Sequence, residues 1–177
     1  MSVAPPALEV VTGAVVFTDI VGFTEYNALC GDAEALELLA TQERIVTAAL
    51  PGGARIVKEL GDGLLLWFPG ACDALETTLA LQERFEAVST DTGIPLWVRI
   101  GVHWGQPSRR RDDIVGHDVN VASRIVHIAG PGEVIASESL LHALEHPLPE
   151  IDFSELGPVV MKGLPDAVRL YRATRTW

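Results

Sequence analysis

The sequence predicts an α+β fold, a largely antiparallel sheet with helices packed on it, and three observations carry that prediction. An apolar β-branched run, Val15 to Phe17 within VVFTDIVGFT, ends at Asp19, and Gly22 then turns the chain into a helical pattern opening at Phe23-Thr24. Two further apolar runs, Ala54 to Leu60 and Leu64 to Phe68, are joined by Gly61-Asp62-Gly63, whose residues tolerate the positive φ of a tight hairpin turn. Around these, helical periodicities are punctuated by Pro51-Gly52-Gly53, Pro69-Gly70 and Gly130-Pro131-Gly132.

The first twelve residues, with Pro5-Pro6, form an expected extended lead-in, and residues 13–177 an expected single domain. Strand one is expected from Gly13 to Asp19. Asp32 suits the N-cap of a helix over 33–50, with Leu36, Leu39, Val46 and Leu50 near one face. The hairpin with Asp62 at its tip follows, then a helix over 71–88 whose Ala74, Leu75, Leu79, Leu81, Phe85 and Val88 make a core stripe. Ile94 to Gly105 is strand-like, with Trp97, Arg99, Gly101 and His103 alternating against Leu96, Val98, Ile100 and Val102. Gln106 to Asp112, with three consecutive arginines, predicts an exposed hairpin arm or subunit contact. A helix over 118–129, a strand over 133–136, a short helix over 137–144 and two strands around Lys162-Gly163 complete the chain. One early crossover and a central hairpin pack most simply as a ferredoxin-like sandwich with its helices on one face.

Composition narrows the function. The 13 Lys and Arg against 24 Asp and Glu give a formal charge of −11, which argues against nucleic-acid or anionic-membrane binding and requires any phosphate to be met by a local basic cluster or by cations. Cys30 and Cys72 lack ligand spacing and fit buried free thiols. No apolar run reaches the roughly 18 residues of a membrane span, and the N-terminus lacks a leader pattern, so a cytoplasmic chain is expected.

Chemistry concentrates at Asp19 and Asp62. In a ferredoxin-like arrangement the first strand lies beside the central hairpin, so the two carboxylates face each other and suit magnesium or manganese; the alternative is a cap Asp and a turn Asp that never meet. The loop after Asp19 suits an anion at the following helix start. Asn120 and Arg124 stand four apart on one face of an expected helix, which taken alone reads as an ordinary solvated face. The five histidines, His103 and His117 included, show no ligand spacing.

The three segments FTDIVGFT, KELGDG (Lys58 to Gly63) and DIVGHDVNVASRI (Asp113 to Ile125), in this order, resemble the catalytic domain of class III adenylyl cyclases, and the resemblance covers nearly the whole chain. It implies two divalent ions, Mg²⁺ or Mn²⁺, held by Asp19, Asp62 and the Ile20 carbonyl. Gly22, Phe23 and Thr24 are implied as phosphate-binding N–H donors, and Lys162 as a contact to the terminal phosphates. Lys58 and Asp113 are implied to select adenine, and Asn120 and Arg124 to orient the ribose and stabilise the transition state. The implied reaction converts ATP to 3′,5′-cyclic AMP and pyrophosphate at sites shared between two copies of the chain. Alternatives are a guanylyl cyclase, disfavoured by the polarity of Lys58 and Asp113, and a nucleotide-binding module without catalysis, disfavoured by the retained Asp residues, Asn120 and Arg124. A diguanylate cyclase is disfavoured because GG[DE]EF is absent.

Overall fold

A computed structural model describes residues 3–5 and 8–177; the expected lead-in falls partly outside them. In chain order the elements are β1 (Glu9–Val10), β2 (Gly13–Ile20), α1 (Phe23–Cys30), α2 (Asp32–Ala49), β3 (Arg55–Leu60), β4 (Gly63–Phe68), α3 (Ala71–Thr92), β5 (Val98–Gly105), β6 (Ser108–Arg110), β7 (Asp113–Val115), α4 (His117–Ile128), β8 (Val134–Ser137), α5 (Glu138–His142), β9 (Ile151–Val159) and β10 (Val168–Arg175). The main sheet has seven strands in the order β3-β4-β2-β5-β8-β10-β9, antiparallel except for the β5–β8 pair. The expected arm is the β6–β7 hairpin, which joins β1 in a small three-stranded sheet.

The helices cover both faces of the sheet, which corrects the expectation of one covered face. Ala14 and Val16 of β2 and Leu64, Leu66 and Phe68 of β4 share one core with Leu38 and Val46 of α2 and Leu75, Leu81 and Phe85 of α3. The alternate residues Val15, Phe17, Leu65 and Trp67 share a second core with Ala122 and Val126 of α4. A strand with an unbroken apolar run must bury both faces, and β2 from Ala14 to Phe17 and β4 from Leu64 to Phe68 carry such runs. The placement matters because α4, carrying Asn120 and Arg124, is thereby set on the face opposite α2.

Smaller boundaries also shift. Gly31, not Asp32, occupies the N-cap of α2, and Asp32 is its first residue. The buried face of α2 is Ala35, Leu38, Thr41, Gln42 and Val46; of the expected stripe Val46 is buried and Leu39 and Leu50 pack partly buried against the core, whereas Leu36 is 65% exposed. Both cysteines are free, but Cys30 is exposed and only Cys72 buried. Among the described residues no helix is long and apolar enough to cross a membrane.

Candidate active site

Sheet register brings the two carboxylates together. Asp19, near the end of β2, is paired with Gly63 of β4 on one side and Arg99 of β5 on the other. Asp62 immediately precedes Gly63. A Cβ at Gly63 would lie 2.1 Å from the Thr18 carbonyl oxygen, so only glycine lets the hairpin tip approach β2 this closely. Burial first, and then the adjoining Asp19 carboxylate, push the Asp62 carboxyl up to about 6. The cap-and-turn alternative, in which the two groups never meet, does not hold.

Arg99 is part of this cluster and escaped the sequence reading. Its Nε donates to Asp19 Oδ2 at 2.7 Å, with both side chains partly buried. An arginine inside an apolar strand was the available signal, since such a group needs an acid partner.

Two juxtaposed carboxylates with no histidine or thiol form a hard, oxygen-only donor set that fits Mg²⁺ or Mn²⁺. Among the described residues no third acid, histidine or cysteine joins them in a potential metal site. A divalent ion held here would take its remaining coordination positions from backbone carbonyl, water and phosphate oxygens, which is how magnesium is commonly held.

Past Ile20, Gly22 adopts φ 73°, ψ 19° and caps α1, a left-handed conformation that favours glycine. The helix bonds begin with Tyr26 N–H donating to the Gly22 carbonyl at 3.0 Å, so the N–H groups of Phe23 and Thr24 belong to the first turn, where no intrahelical acceptor exists.

Lys58 and Asp113, 55 residues apart in sequence, form an ion pair of 2.9 Å between β3 and β7. Asp113 Oδ1 also accepts the N–H of Ile114 at 2.8 Å. The pair borders an open recess of about 330 Å³ lined with Val57, Arg110, Arg111 and Asp112. One donor and one acceptor thus stand side by side on a single chain.

Asn120 and Arg124 lie on the solvent side of α4, opposite the buried Val121, Ala122, Ile125 and Val126. Arg124 Nη2 reaches to 4.0 Å from where a Cβ of Gly163 would stand, so the exposed Lys162-Gly163 turn between β9 and β10 is its neighbour. Among the described residues no hydrogen bond or ion pair joins Arg124 to Asp19, Asp62, Lys58 or Asp113. The helix start is anchored separately. His103, 7% exposed, shares hydrogen bonds with Asp118 Oδ1 at 2.9 Å and Ser137 Oγ at 2.8 Å, and Gln106 N–H donates to Asp118 Oδ2 at 2.7 Å. The histidine is thus a core residue, as its lack of ligand spacing suggests.

The family model described as the adenylate and guanylate cyclase catalytic domain matches residues 6–174. The chain belongs to this family. It is 34% identical over 164 residues to a pH-sensitive adenylate cyclase of Mycobacterium tuberculosis, covering 91% of this chain and 40% of that protein. An adenylate cyclase of Streptomyces griseus is 37% identical over 122 residues, 67% of this chain and 29% of that one. The chain therefore spans less than half the length of these relatives. In fold it is similar to the adenylyl cyclase CyaB from P. aeruginosa (TM-score 0.85, 22% identity, 97% of both chains covered). It also resembles the guanylate cyclase domain of a Catenaria anguillulae protein solved with GTP (TM-score 0.78, 21% identity, 96% and 100% covered). Cyclases named for either nucleotide share the fold, so the fold alone does not distinguish the two.

Burial of Asp62, and then its proximity to the Asp19 carboxylate, predict a stability effect in metal-free protein. The folded-state pKa of Asp62, about 6, is above its ordinary 3.8, so the folded chain keeps a proton that the unfolded chain releases. This contribution is complete below about pH 4 and is lost as pH rises through 6. Asp62→Asn in excess chelator is therefore expected to raise stability at pH 7.5, by on the order of 1 kcal/mol after discounting for solvent around the tip, and by almost nothing at pH 4. Urea unfolding at the two pH values measures the difference.

Proposed function

We propose that this chain is an adenylate cyclase that converts ATP to 3′,5′-cyclic AMP and pyrophosphate at sites completed by a second copy of itself. Residues 13–177 form the catalytic domain in this proposal, with 1–12 a lead-in. The observation that carries the choice of ATP is the Lys58–Asp113 pair at 2.9 Å. Adenine presents an N6 amino donor beside the N1 acceptor, which a carboxylate and an ammonium satisfy together. Guanine reverses both polarities, with O6 accepting and N1–H donating, and leaves the same two groups mismatched.

Asp19, Asp62 and the Ile20 carbonyl hold the divalent ions. When bound, such ions supply Lewis acidity toward the ribose 3′-hydroxyl and positive charge for the triphosphate. The N–H groups of Gly22, Phe23 and Thr24 receive phosphate oxygens, a role suited to the positive end of α1. Lys162, beside Arg124, contacts the terminal phosphates. Asn120 orients the ribose so that its 3′-oxygen approaches the α-phosphorus in line with the bond to the β-phosphate. As the new P–O bond forms and the bond to pyrophosphate breaks, Arg124 donates to the oxygens gaining charge.

The way the single chain splits its groups supports shared sites. The carboxylates lie at the β2 and β3–β4 ends, whereas Arg124 stands on the solvent side of α4 with no hydrogen bond or ion pair to them among the described residues. A two-fold dimer that sets the carboxylates of one copy against α4 of the other closes two equivalent sites.

The test is incubation with ATP and Mn²⁺, then with GTP and Mn²⁺, followed by product identification. Cyclic AMP is expected from the intact chain, with little cyclic GMP, and neither from Asp19→Ala. Cyclic GMP as the main product overturns the base-reading assignment, and no cyclic nucleotide from either substrate favours a binding module.

A further inference from the structure

Helix α2 turns an apolar face to the core, but Gln42 lies within that face and is 1% exposed. A buried amide is costly unless both of its ends are paired. Gln42 finds both partners at the carboxylate site. Thr18 Oγ1, on a residue 2% exposed and adjacent to Asp19, donates to Gln42 Oε1 at 3.0 Å and accepts the Leu64 N–H at 3.1 Å. At its other end Gln42 Nε2 donates to the backbone carbonyl of Asp62 at 3.2 Å. The Asp62 carbonyl fixes the amide orientation, because a flipped Gln42 would set two acceptor oxygens against each other.

The bonds form one connected path from β4 through Thr18 of β2 and Gln42 of α2 to the tip that carries Asp62. Geometry gives the path a task. Asp62 stands in a two-residue turn beyond the last ladder pair, Leu60 with Gly63, so neither sheet neighbour holds its own carbonyl. Repulsion from Asp19 acts to swing this tip outward. A buried donor on the Asp62 backbone resists that swing without touching the carboxylate itself.

We propose that Gln42, braced by Thr18, is a positioning residue for the metal-binding carboxylates, holding Asp62 against Asp19 so that both face one coordination volume. The inference rests on the metal-site reading of Asp19 and Asp62. It assigns α2 a part in the site beyond packing. Groups that orient metal ligands from behind commonly change metal affinity by about 10- to 100-fold when removed.

The experiment measures Mn²⁺ binding to the full chain without nucleotide, from the electron paramagnetic resonance signal of free Mn²⁺, alongside the Mn²⁺ dependence of turnover at fixed ATP. Gln42→Leu is expected to raise the Mn²⁺ dissociation constant about tenfold or more and to move half-activation by Mn²⁺ in parallel. Val46→Ala, a cavity in the same helix at a residue fully buried in the core, is the control for simple loosening of α2. It is expected to lower the melting temperature while leaving Mn²⁺ affinity within about twofold of the parent. Gln42→Met, flexible and similar in volume, takes the place of Gln42→Leu if that chain does not fold. Parent-like Mn²⁺ affinity in the Gln42 variant, or an equal loss in Val46→Ala, overturns the proposal. Asp19→Ala and Asp62→Ala separate the two levels. If both bind Mn²⁺ as the parent does, the metal site itself is misassigned; if they lose binding and Gln42→Leu does not, only the role of Gln42 is wrong.

Discussion

An Arg124→Ala chain is expected to form cyclic AMP about 10²-fold or more slowly than the parent, while the ATP concentration for half-maximal rate changes only a few-fold. The split between the two constants follows from when the side chain acts. A group that binds ATP and the transition state equally would change half-saturation, whereas one that engages charge developing on the α-phosphoryl oxygens changes turnover. Arg124 suits the second role, because it sits exposed on α4 and forms no ion pair among the described residues. Truncating a solvated arginine costs little stability, within about 0.5 kcal/mol, so the melting temperature should scarcely move. Arg124→Lys keeps the charge and loses the planar fork, and should recover part of the rate. Steady-state kinetics on the three chains decides the matter. Parent-like turnover in Arg124→Ala would remove the residue from the mechanism.

The second large effect concerns the base. Combining Lys58→Glu with Asp113→Ser is expected to reduce kcat/KM for ATP by on the order of 10²-fold and to raise the GTP-to-ATP ratio by at least as much. The new Glu accepts from guanine N1–H and the new Ser donates to O6, whereas adenine then faces an acceptor at N1. The magnitude is set below that of fully buried recognition because the Lys58 and Asp113 side chains are 40% and 36% exposed. Neither replacement alone should suffice. Each leaves one mismatched group, and Lys58→Glu alone also sets a carboxylate against Asp113. Kinetics with both nucleotides on the double variant and both single variants give the comparison. An unchanged nucleotide ratio would mean that the base is read elsewhere.

Much of this site was legible in the sequence because its geometry is local or set by sheet register. A strand ending in Asp19 and a Gly-Asp-Gly tip meet once β2 and β4 pair, and the four-residue spacing of Asn120 and Arg124 sets them on one helix face by itself. Covering of both sheet faces was also encoded. Unbroken apolar runs at Val15 to Phe17 and Leu64 to Phe68 require it, although counting helices and crossovers suggested a one-sided sandwich. What the sequence concealed were long-range polar partners. Arg99 meets Asp19 across 80 residues, and Gln42 meets Asp62 across 20. Nothing local marks either acceptor, because the partner is fixed only when the strands and α2 are in place. The exposure of Leu36 in α2 has a similar origin. Of the expected stripe Leu36, Leu39, Val46 and Leu50, all but Leu36 pack on the core, and packing on β2 and β4 centres the buried face on Leu38, Gln42 and Val46. The polar Gln42 is therefore buried while Leu36 is exposed.

The measurement that bears most directly on a site divided between two copies is complementation. Asp19→Ala and Arg124→Ala chains, each nearly inactive alone, are mixed in equal amounts under conditions where subunits exchange, and cyclic AMP formation from ATP and Mn²⁺ is followed. Random pairing makes half of the dimers mixed, and each mixed dimer has one site with both defects and one with neither, so the mixture should recover about a quarter of the parent activity. A mixture no more active than the sum of the two separate chains, with exchange demonstrated, would contradict a shared site and require Asp19 and Arg124 to act within one copy.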